Sequence, residues 1–153
     1  MSLTLRPARS TDAGKLGTIL SEAIAAQSWM PQLHTGAEDI AHMGDLIDRG
    51  WITVCESGGA LTGFIALDGP RIQSLYVLGS AQNAGIGRAL LDWAKTDRAR
   101  LELWTFQANE AAQRFYLANG FEEAQRTDGA GNEEGLPDVR YIWTRADKET
   151  SHG

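Results

Sequence analysis

The chain is poor in the residues from which staples and metal cages are built. Cys55 is its only cysteine, and it has three histidines in 153 residues. That excludes an internal disulfide, fits a reducing cytoplasm, and leaves no Cys/His cluster for zinc. Cys55 lies in the apolar run Ile52-Thr-Val-Cys55, where a small core residue is expected rather than a nucleophile. No stretch approaches the ~20 apolar residues of a membrane span. The opening Met-Ser-Leu-Thr-Leu-Arg lacks a signal-peptide pattern, so a cytoplasmic location is expected. Cations are the minority charge, 14 Lys and Arg against 20 Asp and Glu, for a net charge of −6. This argues against nucleic acid or an anionic membrane as the main partner and mildly favours a cationic acceptor. The loop from Asp128 to Glu134 superficially resembles a calcium loop, but the spacing of its oxygen ligands is wrong. No metal is implied.

What remains is an ordinary globular composition, 42% hydrophobic and 22% charged. One domain over residues 1–146 is expected, with 147–153 as a frayed tail. Leu3 to Pro7 alternates as a first strand, and Ser10-Thr11-Asp12 offers caps for a helix through Leu16, Ile19, Leu20 and Ala23. Thr35 and Glu38 form a capping box for a second helix facing inward through Ile40, Met43 and Ile47. Three strands follow, over Trp51–Glu56, Ala60–Leu67 and Arg71–Leu78, the first two joined by Ser57-Gly58-Gly59. A helix with Ile86, Leu90, Trp93 and Ala94 on one face leads to a strand over Leu101–Phe106. Another helix, Asn109 to Asn119, ends at Gly120. A strand from Phe121 and a last one carrying Val139, Tyr141 and Trp143 complete the order. The expected class is α/β (α+β), a mixed sheet with helices on both faces.

Two stretches carry chemistry. In Leu75-Tyr-Val-Leu-Gly-Ser-Ala-Gln82-Asn-Ala-Gly85-Ile-Gly87-Arg88, a strand passes through a polar turn into a helix opened by two glycines. The first N–H groups of a helix lack intrahelical partners and carry positive partial charge, so phosphate suits this position. A P-loop would need Lys and Ser or Thr after Gly87, where Arg88 and Ala89 stand, and a dinucleotide fingerprint would need glycine at Leu90. Gln82, Gly85 and Gly87 satisfy a third pattern, Gln-x-x-Gly-x-Gly. The second stretch runs from Asn109 to Phe121. Asn109 and Tyr116 stand nearly two turns apart on one side, with the small Ala112 between them.

Both stretches resemble the GNAT superfamily of acetyl-CoA-dependent N-acetyltransferases, the first in its pyrophosphate loop and the second in its asparagine, its tyrosine two turns later and the following Gly120-Phe121. The resemblance runs from about Leu75 to Phe121 and implies a mostly antiparallel, seven-stranded twisted sheet splayed between strands 4 and 5. It also implies a pantetheine arm beside Tyr76, Val77 and Leu78, with an N–H near Val77 polarising the thioester carbonyl. The pyrophosphate would lie on Gln82, Asn83, Ala84, Gly85, Ile86, Gly87 and Arg88. Asn109 would bond the cofactor beside Ala112, and Tyr116 would donate to the leaving sulfur. Gly79 departs from the proline that many relatives carry there.

A general base is harder to find. Many relatives carry a glutamate on the strand before the glycine loop, where this chain offers Gln73 and Ser74. Glu22, His34, Glu38, Glu134 and Asp138 are the alternatives, with His34 and Asp138 preferred because the resemblance puts them near the acceptor cleft. Trp29, Met30, Leu33 and His34 are candidates for an apolar acceptor wall or, equally, for a helix junction. Gln73, Glu134 and Asp138 are further acceptor contacts. The expected activity is acetyl transfer from acetyl-CoA to a primary amine of a small molecule or protein. The alternatives are a silent acyl-CoA-binding sensor and transfer to another acceptor. A homodimer is compatible with the sequence, although no stripe specifies one.

Overall fold

The computed structural model describes residues 3–81 and 85–145. In chain order the elements are β1 (Leu3–Pro7), α1 (Ala13–Ala25), α2 (Gly36–Asp48), β2 (Ile52–Ser57), β3 (Ala60–Asp68) and β4 (Arg71–Val77). They continue with α3 (Ile86–Thr96), β5 (Arg100–Phe106), α4 (Glu110–Ala118), β6 (Glu122–Thr127) and β7 (Asp138–Thr144). Short 3₁₀ turns occupy Ser10–Asp12 and Gly79–Ala81. The strands form one seven-stranded sheet in the order β1-β2-β3-β4-β5-β7-β6. Pairings β1–β2, β2–β3, β5–β7 and β6–β7 are antiparallel, whereas β4 meets β5 in parallel with Arg71 opposite Glu102. The mixed, mostly antiparallel sheet of the sequence reading is therefore present. The expected tail at 147–153 lies outside the described residues.

The chain packs as two compact units. One comprises the chain up to Asp68 with Ile72–Trp93, and the other Gly69–Arg71 with the chain from Ala94 onward. The first is built mainly on aliphatic side chains around one phenylalanine: Leu16 and Ile19 of α1 and Met43 and Leu46 of α2 meet Ile52, Val54, Leu61, Phe64 and Ala66 of β2 and β3. The capping box opens α2 as expected. The Thr35 hydroxyl accepts from the Glu38 amide at 3.1 Å, and the Glu38 carboxylate accepts from the Thr35 amide at 2.8 Å. Ile40, expected inward, is 40% exposed, while Leu46 is buried instead. The cause is the close approach of the two helices: a Cβ on Gly17 would stand 2.8 Å from the Ile40 Cα, so the helices touch through Ile40's backbone and its side chain flanks the joint. At the sheet's edge the Arg6 guanidinium binds Asp12 at 2.9 Å and Glu56 at 3.3 Å, joining β1, the 3₁₀ turn and β2.

The second unit is richer in aromatic and polar fastenings. Leu101, Leu103, Val139 and Tyr141 are buried with Tyr116 and Phe121. The α4 helix closes with a Schellman pattern, in which the Phe121 amide donates to the Tyr116 carbonyl at 3.0 Å, and Gly120 follows the last turn as expected. Lys95 donates to the Asn119 carbonyl at 2.6 Å, and its ammonium lies 5.8 and 5.2 Å from the ring centres of Phe121 and Trp143. Arg145 donates to the carbonyls of Lys95, Thr96 and Arg98, capping the negative end of α3. In α3, whose residues through Trp93 belong to the first unit, Ile86, Leu90, Leu91 and Ala94 are buried, whereas Trp93, expected on that face, is 38% exposed. At 100° per residue the buried arc centres between Leu90 and Leu91, which leaves Trp93 just beyond its rim.

Candidate functional site

The sequence draws attention first to the turn that begins α3. Gly85 has φ +80°, a value that side-chain-bearing residues rarely adopt, and a Cβ there would meet no atom of the described residues within 4 Å. Among the described residues the first i→i−4 bond is Ala89 N–H to the Gly85 carbonyl at 3.0 Å, which places Ile86, Gly87 and Arg88 in the first turn of the helix. Ile86 anchors the turn at 1% exposure. Its position depends on Gly63 in β3, where a Cβ would come within 2.9 Å of the Tyr76 carbonyl and 3.1 Å of the Ile86 side chain. Arg88 is exposed and pairs with Asp92 at 3.7 Å. Gln82, Asn83 and Ala84 lie outside the described residues. On β4, Tyr76 packs against Phe64 with centroids 5.8 Å apart, and the Leu78 amide donates to the Thr62 carbonyl of β3 at 2.8 Å.

The helix that carries Tyr116 belongs to the second unit. Asn109 is its N-cap, with Oδ1 accepting the Ala112 amide at 3.1 Å. The cap uses one acceptor site of that oxygen, and Nδ2 is the donor half of the amide. Ala112 is half-buried, and Tyr116 is 7% exposed. Ring centres of Phe115, Phe121 and Tyr141 stand 5.1, 5.4 and 6.5 Å from that of Tyr116. Tyr141 donates from its hydroxyl to Gln113 at 3.3 Å, and burial raises its phenol pKa above the usual range.

A cavity of about 540 Å³ also lies in the second unit, lined by Trp104, Thr105 and Phe106 of β5, Gln125 and Thr127 of β6, Asp138 of β7, and Gly131, Asn132 and Glu134 between β6 and β7. Glu134 and Asp138, both expected from the sequence, are thus brought together. Asp138 accepts from the Thr127 hydroxyl and from the Asn132 amide at 3.2 Å. Asn132 also donates to the Leu136 carbonyl at 2.8 Å and accepts from the Leu136 amide at 3.2 Å, so one side chain fastens the loop and the carboxylate together. Gly129, at φ +86°, permits this crossing, because a Cβ there would collide with the Leu136 backbone. Thr127, Asn132 and Trp104 were not picked out from the sequence. For Asn132 the one legible trace was the density of Asn, Asp and Gly in the loop, which is ordinary turn chemistry, and the two strand residues left none.

The other acceptor candidates lie in the first unit. Trp29, Met30, Leu33 and His34 sit between α1 and α2, with Leu33 45% exposed, His34 exposed and the other two half-buried. Glu38 is engaged in its capping box, and the Thr35 amide and hydroxyl, with a smaller contribution from His34, hold its carboxyl below the ordinary range. Gln73 is exposed on β4. Among the described residues no group of three His, Cys, Asp or Glu could hold a metal, and no helix is long and apolar enough to cross a membrane.

Residues 48–123 match the family model described as acetyltransferase (GNAT) domain. The chain belongs to the GNAT acetyltransferase family. Over 69 residues it is 35% identical to peptidyl-lysine N-acetyltransferase YiaC of Escherichia coli (strain K12), a match that spans 44% of this chain and 47% of that protein. The fold is also that of apo YjaB from Escherichia coli, with TM-score 0.79, 20% identity, and 95% of this chain and all of that one covered. Salmonella typhimurium yncA, solved with its cofactor acetyl-CoA, aligns with TM-score 0.73 and 20% identity, covering 96% of each chain. Acetyl-CoA is the cosubstrate expected of a GNAT domain, and the positive-φ Gly85 at the head of α3 suits its diphosphate.

Proposed function

We propose that this GNAT domain transfers an acetyl group from acetyl-CoA directly to a primary amine, and that it does so in a reducing cytoplasm, to which its single buried thiol, Cys55, is suited. The observation that carries the reading is the turn: a glycine at positive φ, Gly85, at the head of a helix held in place by the buried Ile86. Bound acetyl-CoA supplies the activated thioester. Gln82 to Arg88 contribute phosphate donors, and Asn109 contributes its Nδ2. The strand Tyr76 to Leu78 serves the pantetheine arm, with a backbone amide near Val77 stabilising carbonyl charge.

Tyr116 donates a hydrogen bond to the leaving sulfur. With a thiol reference pKa of ~8.5 against ~10 for a phenol, full proton transfer in water would cost ~2 kcal/mol, so hydrogen bonding comes first. At neutral pH only about one alkylamine in a few thousand is uncharged, and His34 or Asp138 collects the proton on attack. The relative named for peptidyl-lysine acetylation adds a lysine side chain to the amines worth testing. Because β4 offers Gln73 and no carboxylate, a silent acyl-CoA sensor is the second reading; binding of acetyl-CoA without turnover on any amine of a panel would favour it. Calorimetry tests the first step. Wild-type protein takes up CoA, and Gly85→Val, which puts a branched side chain at positive φ, weakens uptake tenfold or more. No uptake by the wild type overturns the proposal.

A further inference from the structure

The cavity beside β7 has a chemical character that narrows the acceptor. Its polar lining includes two carboxylates, Glu134 and Asp138, and no Lys, Arg or His among the described residues. Cations elsewhere on these strands are already engaged. Arg140, opposite Trp104 in the β5–β7 register, binds Glu102 at 2.7 Å, and Arg126, next to Thr127, binds Glu123 at 2.8 Å. Asp138 is fixed by two donors, Thr127 and Asn132, so its charge is held in place before any ligand arrives. Trp104 presents a 38% exposed aromatic side chain to the same space, with Phe106 next to it on that face of β5. An indole face is the best of the side-chain partners for an organic cation and also covers an apolar stem.

We infer that this cavity selects primary amines that have an apolar body and carry no carboxylate, with Glu134 and Asp138 holding the ammonium and Trp104 the body. Calling this occupant the acetyl acceptor rests on the function proposed above; the selectivity itself does not. A free amino acid would bring its own carboxylate against two others with no cation to meet it, and in a partly desolvated cavity that repulsion costs tenfold or more in affinity. A decarboxylated amine and a lysine side chain within a peptide share the favoured chemistry, and the volume accommodates either, since small-molecule sites span roughly 300–1,000 Å³.

The test is calorimetric titration of the full chain, without acetyl-CoA, using 2-phenylethylamine, phenylalanine and N-acetyl-lysine methylamide. Both carboxylate-free amines bind at least tenfold more tightly than phenylalanine, and the tighter of the two identifies the source as a free amine or a peptide lysine. Glu134→Gln and Trp104→Ala each weaken amine binding about fivefold or more, Trp104→Phe weakens it less, and CoA uptake is unchanged in all three. Phenylalanine binding as tightly as 2-phenylethylamine overturns the inference, as does an amine affinity indifferent to Glu134→Gln and Trp104→Ala. If amine selectivity holds while CoA is not taken up, the acetyl-transfer reading fails and the cavity assignment stands. If CoA binds and the selectivity is missing, the reverse follows.

Discussion

At the start of α3 the groups offered to a ligand are peptide amides, and around the cavity they are side chains. The first arrangement uses a helix end, a glycine with room around it and one buried isoleucine, all within a few residues of each other except for Gly63. The second needs a tryptophan from β5, a threonine from β6, an asparagine from the intervening loop and an aspartate from β7. A site made of backbone depends on local conformation and tolerates many neighbouring side chains. A site made of side chains depends on strand register, so each member is sensitive to the others.

The largest expected effect comes from attacking the second arrangement at its backbone. Gly129→Ala combines positive φ with a collision against Leu136, and we expect a loss of about 3 kcal/mol in unfolding free energy, together with weakened amine binding. Denaturant unfolding checks the first and calorimetry the second; an unchanged midpoint would mean that the loop is softer than its hydrogen bonds suggest. Tyr116→Phe keeps the ring among Phe115, Phe121 and Tyr141 and removes only the hydroxyl. We expect kcat to fall about 100-fold with acetyl-CoA affinity little changed, and an unchanged kcat would remove Tyr116 from the chemistry.

Acid probes the fastenings of each unit. The hydrogen bond from Arg6 holds the Asp12 carboxyl below its ordinary 3.8, and Arg140 similarly holds Glu102 below 4.5. A depressed carboxylate stabilises the fold above its unfolded pKa, and that stability is lost as pH falls through the lower folded value. Thermal melts from pH 7 down to pH 2 should therefore show the wild type losing stability below about pH 4. Asp12→Asn should already be about 2 kcal/mol weaker at pH 7 and respond less to acid. The smallest effect sharpens the comparison most. Asn109→Asp keeps an oxygen to cap α4 but removes the Nδ2 donor, so melting should hold within about 0.5 kcal/mol while acetyl-CoA binding weakens several-fold. Loss of stability with unchanged binding would make Asn109 a cap alone.

These differences also mark where the sequence could be read. The capping box at Thr35 and Glu38, the hairpin at Gly58-Gly59 and the glycine pair before α3 are short-range patterns with one physical solution each, and all were legible. Ile40 and Trp93 were misplaced because helical periodicity gives the width of a face and not its centre; the close contact at Gly17 and the burial of Leu91 moved those centres. Asp138 was legible as a residue, but that one cavity holds it together with Trp104 follows from Phe106 standing opposite Asp138 in β5–β7, a long-range register that no local pattern encodes. Gly63 was an available clue, since an interior strand glycine often marks close backbone approach.

The missing methyl group at Gly17 has a consequence for how this protein can change. Because α1 and α2 meet closely at Gly17 and Ile40, the nine-residue stretch from Ala26 to His34 hangs from two pillars already locked together below it. Substitutions or insertions in that span leave the pillars seated, so its chemistry is free to drift at little thermodynamic cost while any side chain at residue 17 is forbidden.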